Sequence, residues 1–193
     1  MDNISNSLHT LHMPGMVSCW KTLNETHQLD KLSLPHGLEL LLQSELDIKQ
    51  MALMVQKEVA DKVLAEPGTE AWGPLALRCQ FYCEPYLAMD VPAECFTPVP
   101  KVDSAFIVLP RREKPLVAVK NEEDFFRVAQ AGFALRRKTM TNGLCAAFHM
   151  DRAEADALMQ AAGLDERIRG EKLGFEELSR LSDAYTDWKA GQA

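Results

Sequence analysis

Glycine-rich phosphate loops are missing from this sequence. Its ten glycines are scattered and no G-x-G triplet occurs, so neither a dinucleotide-binding turn nor a P-loop can be built from them. G-x-S-x-G, H-E-x-x-H and C-x-x-C are absent too, which removes the common hydrolase, zinc-peptidase and thiol-redox constellations. The five cysteines are odd in number and loosely spaced, so they make no disulfide framework, and a reduced, cytoplasmic interior is expected. No apolar run approaches the ~20 residues that a helix needs to cross a bilayer. The first residues show no basic segment followed by an apolar one, as a secretory signal would. His9 and His12 have no Cys, Asp or Glu clustered with them, and no metal site is expected.

What is present is an ordinary globular composition, 47% apolar and 25% charged over 193 residues, enough for one sizeable core. The net charge of −7 is unevenly laid out. Residues 101–138 carry nine Lys/Arg against five Asp/Glu, whereas the flanking segments carry six against thirteen and six against ten. A basic segment between two acidic ones confines any contact with nucleic acid to that segment.

Residues 1–33 are polar and aperiodic, with a turn at Pro14-Gly15. Pro35, Leu38, Leu41 and Leu42 predict a helix to about Ser44. Met51 to Val55 is a short, uninterrupted apolar run, the pattern of a strand covered on both faces. A helix from Gln56 to Ala65 follows, with Val59, Val63 and Leu64 on one side. Pro74 opens another, whose stripe of Leu75, Cys79, Tyr82 and Cys83 accounts for the paired cysteines as small buried residues. Tyr86–Val91 and Ser104–Leu109 read as strands, and the dozen residues between them suit antiparallel neighbours. Beyond Arg112 the pattern is helical. Asn121 caps one helix, with Phe125, Val128, Ala129 and Phe133 inward and Arg136-Arg137-Lys138 near its end. Asp151 caps a second that stops at Gly163. A third runs from Phe175 to about Trp188. The layout is α/β to residue 112 and all-α from 113 to 193.

Two stretches carry chemistry. In Val91-Pro92-Ala93-Glu94-Cys95-Phe96-Thr97-Pro98-Val99-Pro100-Lys101-Val102-Asp103-Ser104-Ala105, spaced prolines hold a loop extended. Such a loop can present Phe96 as a platform for an unstacked base, or tuck it into the core as an ordinary turn residue. In Phe133-Ala134-Leu135-Arg136-Arg137-Lys138-Thr139-Met140-Thr141-Asn142, three successive cations fan around a helix turn. They can neutralise phosphates or simply face water.

Both stretches, with Met54-Val55-Gln56-Lys57-Glu58-Val59-Ala60 and Pro67-Gly68-Thr69, resemble the bacterial rRNA adenine N6,N6-dimethyltransferases. These small-subunit rRNA dimethyladenosine transferases are related to the erythromycin-resistance rRNA methylases. The resemblance extends from about Leu34 to Trp188, with the segments in the family's order. It implies a Rossmann-like class I methyltransferase sheet followed by a small helical domain. It also implies methyl transfer from S-adenosylmethionine to adenine amines of small-subunit rRNA, free or in a pre-ribosomal particle. On this resemblance Met51–Val55 is the fifth strand of that sheet, and Tyr86–Val91 and Ser104–Leu109 are its closing antiparallel pair. Phe96 matches the aromatic that holds the flipped adenine, in a loop supported by Pro98, Pro100 and Lys101. Arg136, Arg137 and Lys138 match the basic run that meets RNA phosphates.

The sequence departs from the family where the cofactor binds. The family's Gly-rich loop after the first strand, its acids after the second and third, and its Asn-Leu-Pro-Tyr motif have no counterpart here. The expectation is a truncated member: residues 1–33 unrelated to the family, 34–112 part of the methyltransferase domain, and 113–193 the RNA-side helical domain. No catalytic or cofactor-binding residue would be retained, and the chain alone would be inactive. The other reading is a non-catalytic RNA-binding or ribosome-assembly remnant. With no neighbouring fourth strand, Met51–Val55 is also expected to be an exposed edge through which copies self-associate.

Overall fold

A computed structural model of the chain describes residues 48–135 and 137–191. The irregular stretch expected over 1–33, the helix expected over 34–44 and the side chain of Arg136 lie outside the described residues.

The apolar run forms β1 (Gln50–Gln56), which passes directly into α1 (Lys57–Val63). Lys57 pairs with Asp61 at 2.8 Å and Lys62 with Glu58, both one turn apart and oriented along α1. Gly68, at φ +84°, supplies the left-handed turn beyond it. Pro74 starts α2 (Pro74–Tyr82) at a position where its missing N–H costs nothing. Gln80 then donates to the carbonyls of Val63 and Ala65, at 3.0 and 2.9 Å, and so ties α2 to the end of α1. β2 (Tyr86–Val91) and β3 (Ser104–Pro110) follow.

The sheet has the order β1-β3-β2, and β3 is antiparallel to both neighbours. The expected antiparallel pair is therefore present, with an irregularity in register between Leu87 and Met89. One expectation is corrected. β1 is not covered on both faces: Met51 is buried, whereas Met54 is 54% exposed and exposure alternates along the strand. An all-apolar run hides such alternation, because residues on the open face are as apolar as those on the covered one.

Four helices complete the molecule. Asn121 caps α3 (Glu122–Ala134), its side chain accepting from the backbone N–H of Asp124. Asp151 and Glu154 close a reciprocal capping box on α5 (Arg152–Ala161), and Gly163 follows at φ +69°. The last helix, α6, spans Phe175–Gly191. A second correction concerns the basic run. α3 ends at Ala134, and a further helix, α4 (Met140–Phe148), begins after Thr139, whose hydroxyl accepts from the N–H of Asn142. Arg137 and Lys138 therefore sit in the connection between α3 and α4, not on a helix. Gly143 in mid-helix obscures α4 in the sequence, yet packing demands it: a Cβ there would lie 2.5 Å from the carbonyl oxygen of Ala131 on α3.

Gln50–Ala193 is one compact unit. Its core runs from α2 into the helical part, joining Trp72, Leu77 and Phe81 to Phe125, Met140, Leu144, Leu178 and Leu181. Trp72 is fully buried, with edge contacts to Phe133 and Phe175 and its indole N–H donating to the carbonyl of Leu173 at 3.2 Å. The boundary at residue 112 thus separates sheet from helices without interrupting the core.

Candidate nucleic-acid interface

The loop from β2 to β3 is held at both ends by one residue. The carboxylate of Asp103 accepts from the backbone N–H of Ala93 at 2.9 Å, and its carbonyl accepts from the N–H of Lys57 at 3.0 Å, at the start of α1. Inside this staple, Ala93–Cys95 makes one 3-10 turn, with the N–H of Phe96 donating to the carbonyl of Ala93. Phe96 then turns extended (φ −114°, ψ 152°) and the Thr97–Pro98 peptide is cis. Pro98, Val99, Pro100, Lys101 and Val102 are all exposed, and Phe96 itself is half-buried. A ring seated on one side and open on the other, on a loop whose backbone is tied down, is suited to receive a base.

The second predicted group lies in the α3–α4 turn. The N–H of Lys138 donates to the carbonyl of Leu135 at 2.8 Å, and that of Met140 to the carbonyl of Ile168 at 2.7 Å. These bonds anchor the turn to the helical core from both sides. Arg137 and Lys138 are exposed, and among the described residues neither enters an ion pair. Other cations are engaged: Lys57 with Asp61 and Asp90, Lys120 with Asp187, Arg152 with Asp156, and Lys189 with the buried Asp124. Those pairs hold the lysine ammoniums of 57, 120 and 189 above their ordinary pKa, chiefly through the carboxylate hydrogen bond. No hydrogen bond or ion pair among the described residues links the Phe96 loop to the basic turn.

The sequence reading missed a third feature. The Arg127 guanidinium lies 5.3 Å from the ring centroid of Phe148, joining α3 to α4. With α4 itself unrecognised, nothing in the residue pattern brought these two together.

The described residues do not fit S-adenosylmethionine. β1 runs into α1 without a glycine, β2 runs into the proline loop, and Gly132, Gly143 and Gly170 are spent on close helix packing. No group of three His, Cys, Asp or Glu among the described residues could hold a metal, and none of their helices is long and apolar enough to cross a membrane.

Comparison with known proteins agrees with this architecture. The family model for ribosomal RNA adenine dimethylase matches residues 31–187. The Ribosomal RNA small subunit methyltransferase A of Enterococcus faecalis is 44% identical over 146 residues, which are 74% of this chain and 50% of that protein. Its namesake from Clostridium botulinum is 40% identical over 147 residues, 76% of this chain and 53% of the relative. The chain thus spans about half the length of the curated relatives it matches. In fold it is similar to the crystal structure of a dimethyladenosine transferase from Plasmodium falciparum, with TM-score 0.63 and 21% identity over 78% of this chain and 62% of that one. The crystal structure of 23S rRNA methyltransferase ErmE is similar at TM-score 0.54 and 23% identity, over 77% and 59%. With a family match over most of its length and the sheet and helices of an rRNA methyltransferase, the chain belongs to the ribosomal RNA adenine dimethylase family.

Proposed function

We propose that this chain is the RNA-recognising part of an S-adenosylmethionine-dependent rRNA adenine N6,N6-dimethyltransferase. Its substrate is the small-subunit rRNA, free or in a pre-ribosomal particle in the cytoplasm, and alone it binds that RNA without methylating it. The observation that carries this reading is the contrast among the cations. Most are committed to carboxylates, whereas Arg137 and Lys138 stand exposed and unpaired on an anchored turn. Free, fixed cations neutralise phosphates and release counterions, which gives affinity without sequence choice. Arg136 completes the run. Phe96, supported by Pro98, Pro100 and Lys101, adds a face on which the extruded adenine rests.

In the family's reaction the cofactor supplies an electrophilic methyl group to the adenine amine. The share of these residues is to hold the base out of its stack and the backbone in place, which are positioning effects. The residues that would bind the cofactor, and the acceptors that would stabilise the amine as it becomes positive, are not among those described. The full chain, incubated with labelled S-adenosylmethionine and under-methylated small subunits, should transfer no label while still binding them. Label incorporated above a no-protein control would defeat the inactivity. Failure to bind would defeat the RNA reading. Self-association through β1 belongs to the same proposal, since among the described residues that strand is paired on one side only.

A further inference from the structure

The helical part carries an open groove that the proposed function leaves unused. It lies between α3 and α4, has a volume of about 280 Å³, and is lined by Arg127, Gln130, Ala131, Ala134, Ala147 and Phe148. That is large against the roughly 10–15 Å³ that one water needs. We propose that this groove takes one unstacked base of a single-stranded RNA whose phosphates lie on the adjoining α3–α4 turn. The inference rests on the RNA reading above and extends it to a second contact.

Three observations converge. The first is the platform. The Arg127 guanidinium is backed by the Phe148 ring at 5.3 Å and faces the buried Asp124 carboxylate at 3.9 Å, while 46% of its side chain stays exposed. Phe148 is itself braced by Tyr185, the ring centroids 4.2 Å apart. Asp124 is fixed in turn by Lys189 at 2.9 Å and by the Thr186 hydroxyl at 3.2 Å. A planar cation held on two sides is a stacking surface for a base, as single-stranded RNA sites use arginine.

The second observation is the wall. Ala131, Ala134 and Ala147 add only methyl groups, so a flat ring can approach the backbones of both helices. Gln130 is exposed on the rim, and its amide offers both donor and acceptor to a base edge.

The third is charge. Ala134 precedes Arg137 and Lys138 by three and four residues, so the groove opens beside the unpaired cations of a segment whose Lys/Arg outnumber its Asp/Glu nine to five. The one carboxylate near the groove, Asp124, is buried and already satisfied. That complementarity favours a polyanion that also carries flat rings, hence RNA over an acidic peptide.

The test uses the full chain and a fluorescein-labelled ten-nucleotide oligoadenylate, with affinity read by anisotropy across a salt series. Ala147→Leu fills the groove from an exposed position without offering a stacking ring. It should weaken binding roughly tenfold while leaving the salt slope unchanged, since no phosphate contact is touched. Gln130→Ala should weaken it by a smaller factor in the same manner. The double change Arg137→Ala with Lys138→Ala should instead flatten the salt slope. Circular dichroism confirms that each variant is folded. Parental affinity in both groove variants, with the turn variant still flattening the slope, would overturn the groove and leave the RNA reading standing. If the turn variant also bound as the parent does, both readings would fall. Displacement of the oligonucleotide by polyglutamate at equal charge, as readily as by unlabelled oligoadenylate, would show that the groove does not select a base and would also overturn the proposal.

Discussion

Phe96 follows a single 3-10 turn in a loop whose two ends are held by Asp103. Its ring is only half-buried, so removing it takes little from the core. Phe96→Ala should lower single-strand RNA affinity by ~1–3 kcal/mol with little change in thermal midpoint; a large loss of stability at parental affinity would make Phe96 a packing residue. Cys79 and Cys83 give the opposite case. Both are buried, and burial pushes their thiols up to about 12 and about 11, the former raised further by Cys83 and the latter partly offset by Arg111 and Arg112. An unfolded thiol titrates near 9.0. The folded state therefore holds these protons longer, so the contribution is complete below pH 9 and is lost as pH rises toward 11 to 12. Each such group costs about 1.4 kcal/mol of stability per pH unit in that window. Denaturant titrations of the parent and Cys79→Ala from pH 8 to 10.5 should show a steeper loss in the parent. Parallel curves would mean that Cys79 ionises as freely folded as unfolded. The buried cysteine stripe was legible because helical spacing alone places residues four apart on one face. The partial exposure of Phe96 was not, since a proline loop says where a ring is carried and not what it rests against.

At the scale of elements, end signals were more informative than interiors. Asn121 and Asp151 mark helix starts because their side chains satisfy orphan N–H groups, and Gly163 marks a stop because it accepts a positive φ. α4 was invisible for the converse reason. Asn142 and Gly143 are poor helix formers, yet close packing of α4 on α3 leaves no room for a side chain at 143. Missing α4 put the basic run on a helix, when it belongs to a turn. Gly143→Ala should thus destabilise by ~1–3 kcal/mol, as overpacking does, although alanine is the better helix former; a gain in urea midpoint would show that α3 and α4 part without cost. The turn itself is expected to act electrostatically. Replacing Arg137 and Lys138 together by Ala should reduce the salt slope of small-subunit rRNA binding by about 1.5 to 2, near 0.7–0.9 for each phosphate released. An unchanged slope would mean that both cations only face water.

On the scale of the whole molecule, the sheet is where the chain's partial match to its relatives has physical consequences. β3 is central and β1 lies at one margin, with its outer backbone row unmatched among the described residues. One face of the sheet is apolar and open as well. The register places Met54 opposite Phe106 and Phe106 opposite Met89, so these three side chains form a row across the strands. Met54 is 54% and Met89 59% exposed, and Tyr86, opposite Val108, is 50% exposed. An apolar edge strand without an inward charge, beside an apolar open face, is a template for pairing with another copy. The run Met51–Val55 carries no charge; Lys49 and Lys57 only flank it. The purified chain should therefore associate increasingly with concentration, as light scattering would show. Met54→Lys should suppress this by placing a cation in the middle of the row, and should spare the fold because the position is already exposed. Leu53→Lys should suppress it too, but with a loss of stability, since Leu53 is half-buried. Two monomers of equal solubility, parent and Met54→Lys alike, at the highest concentration reached would remove β1 and its open face as an association surface.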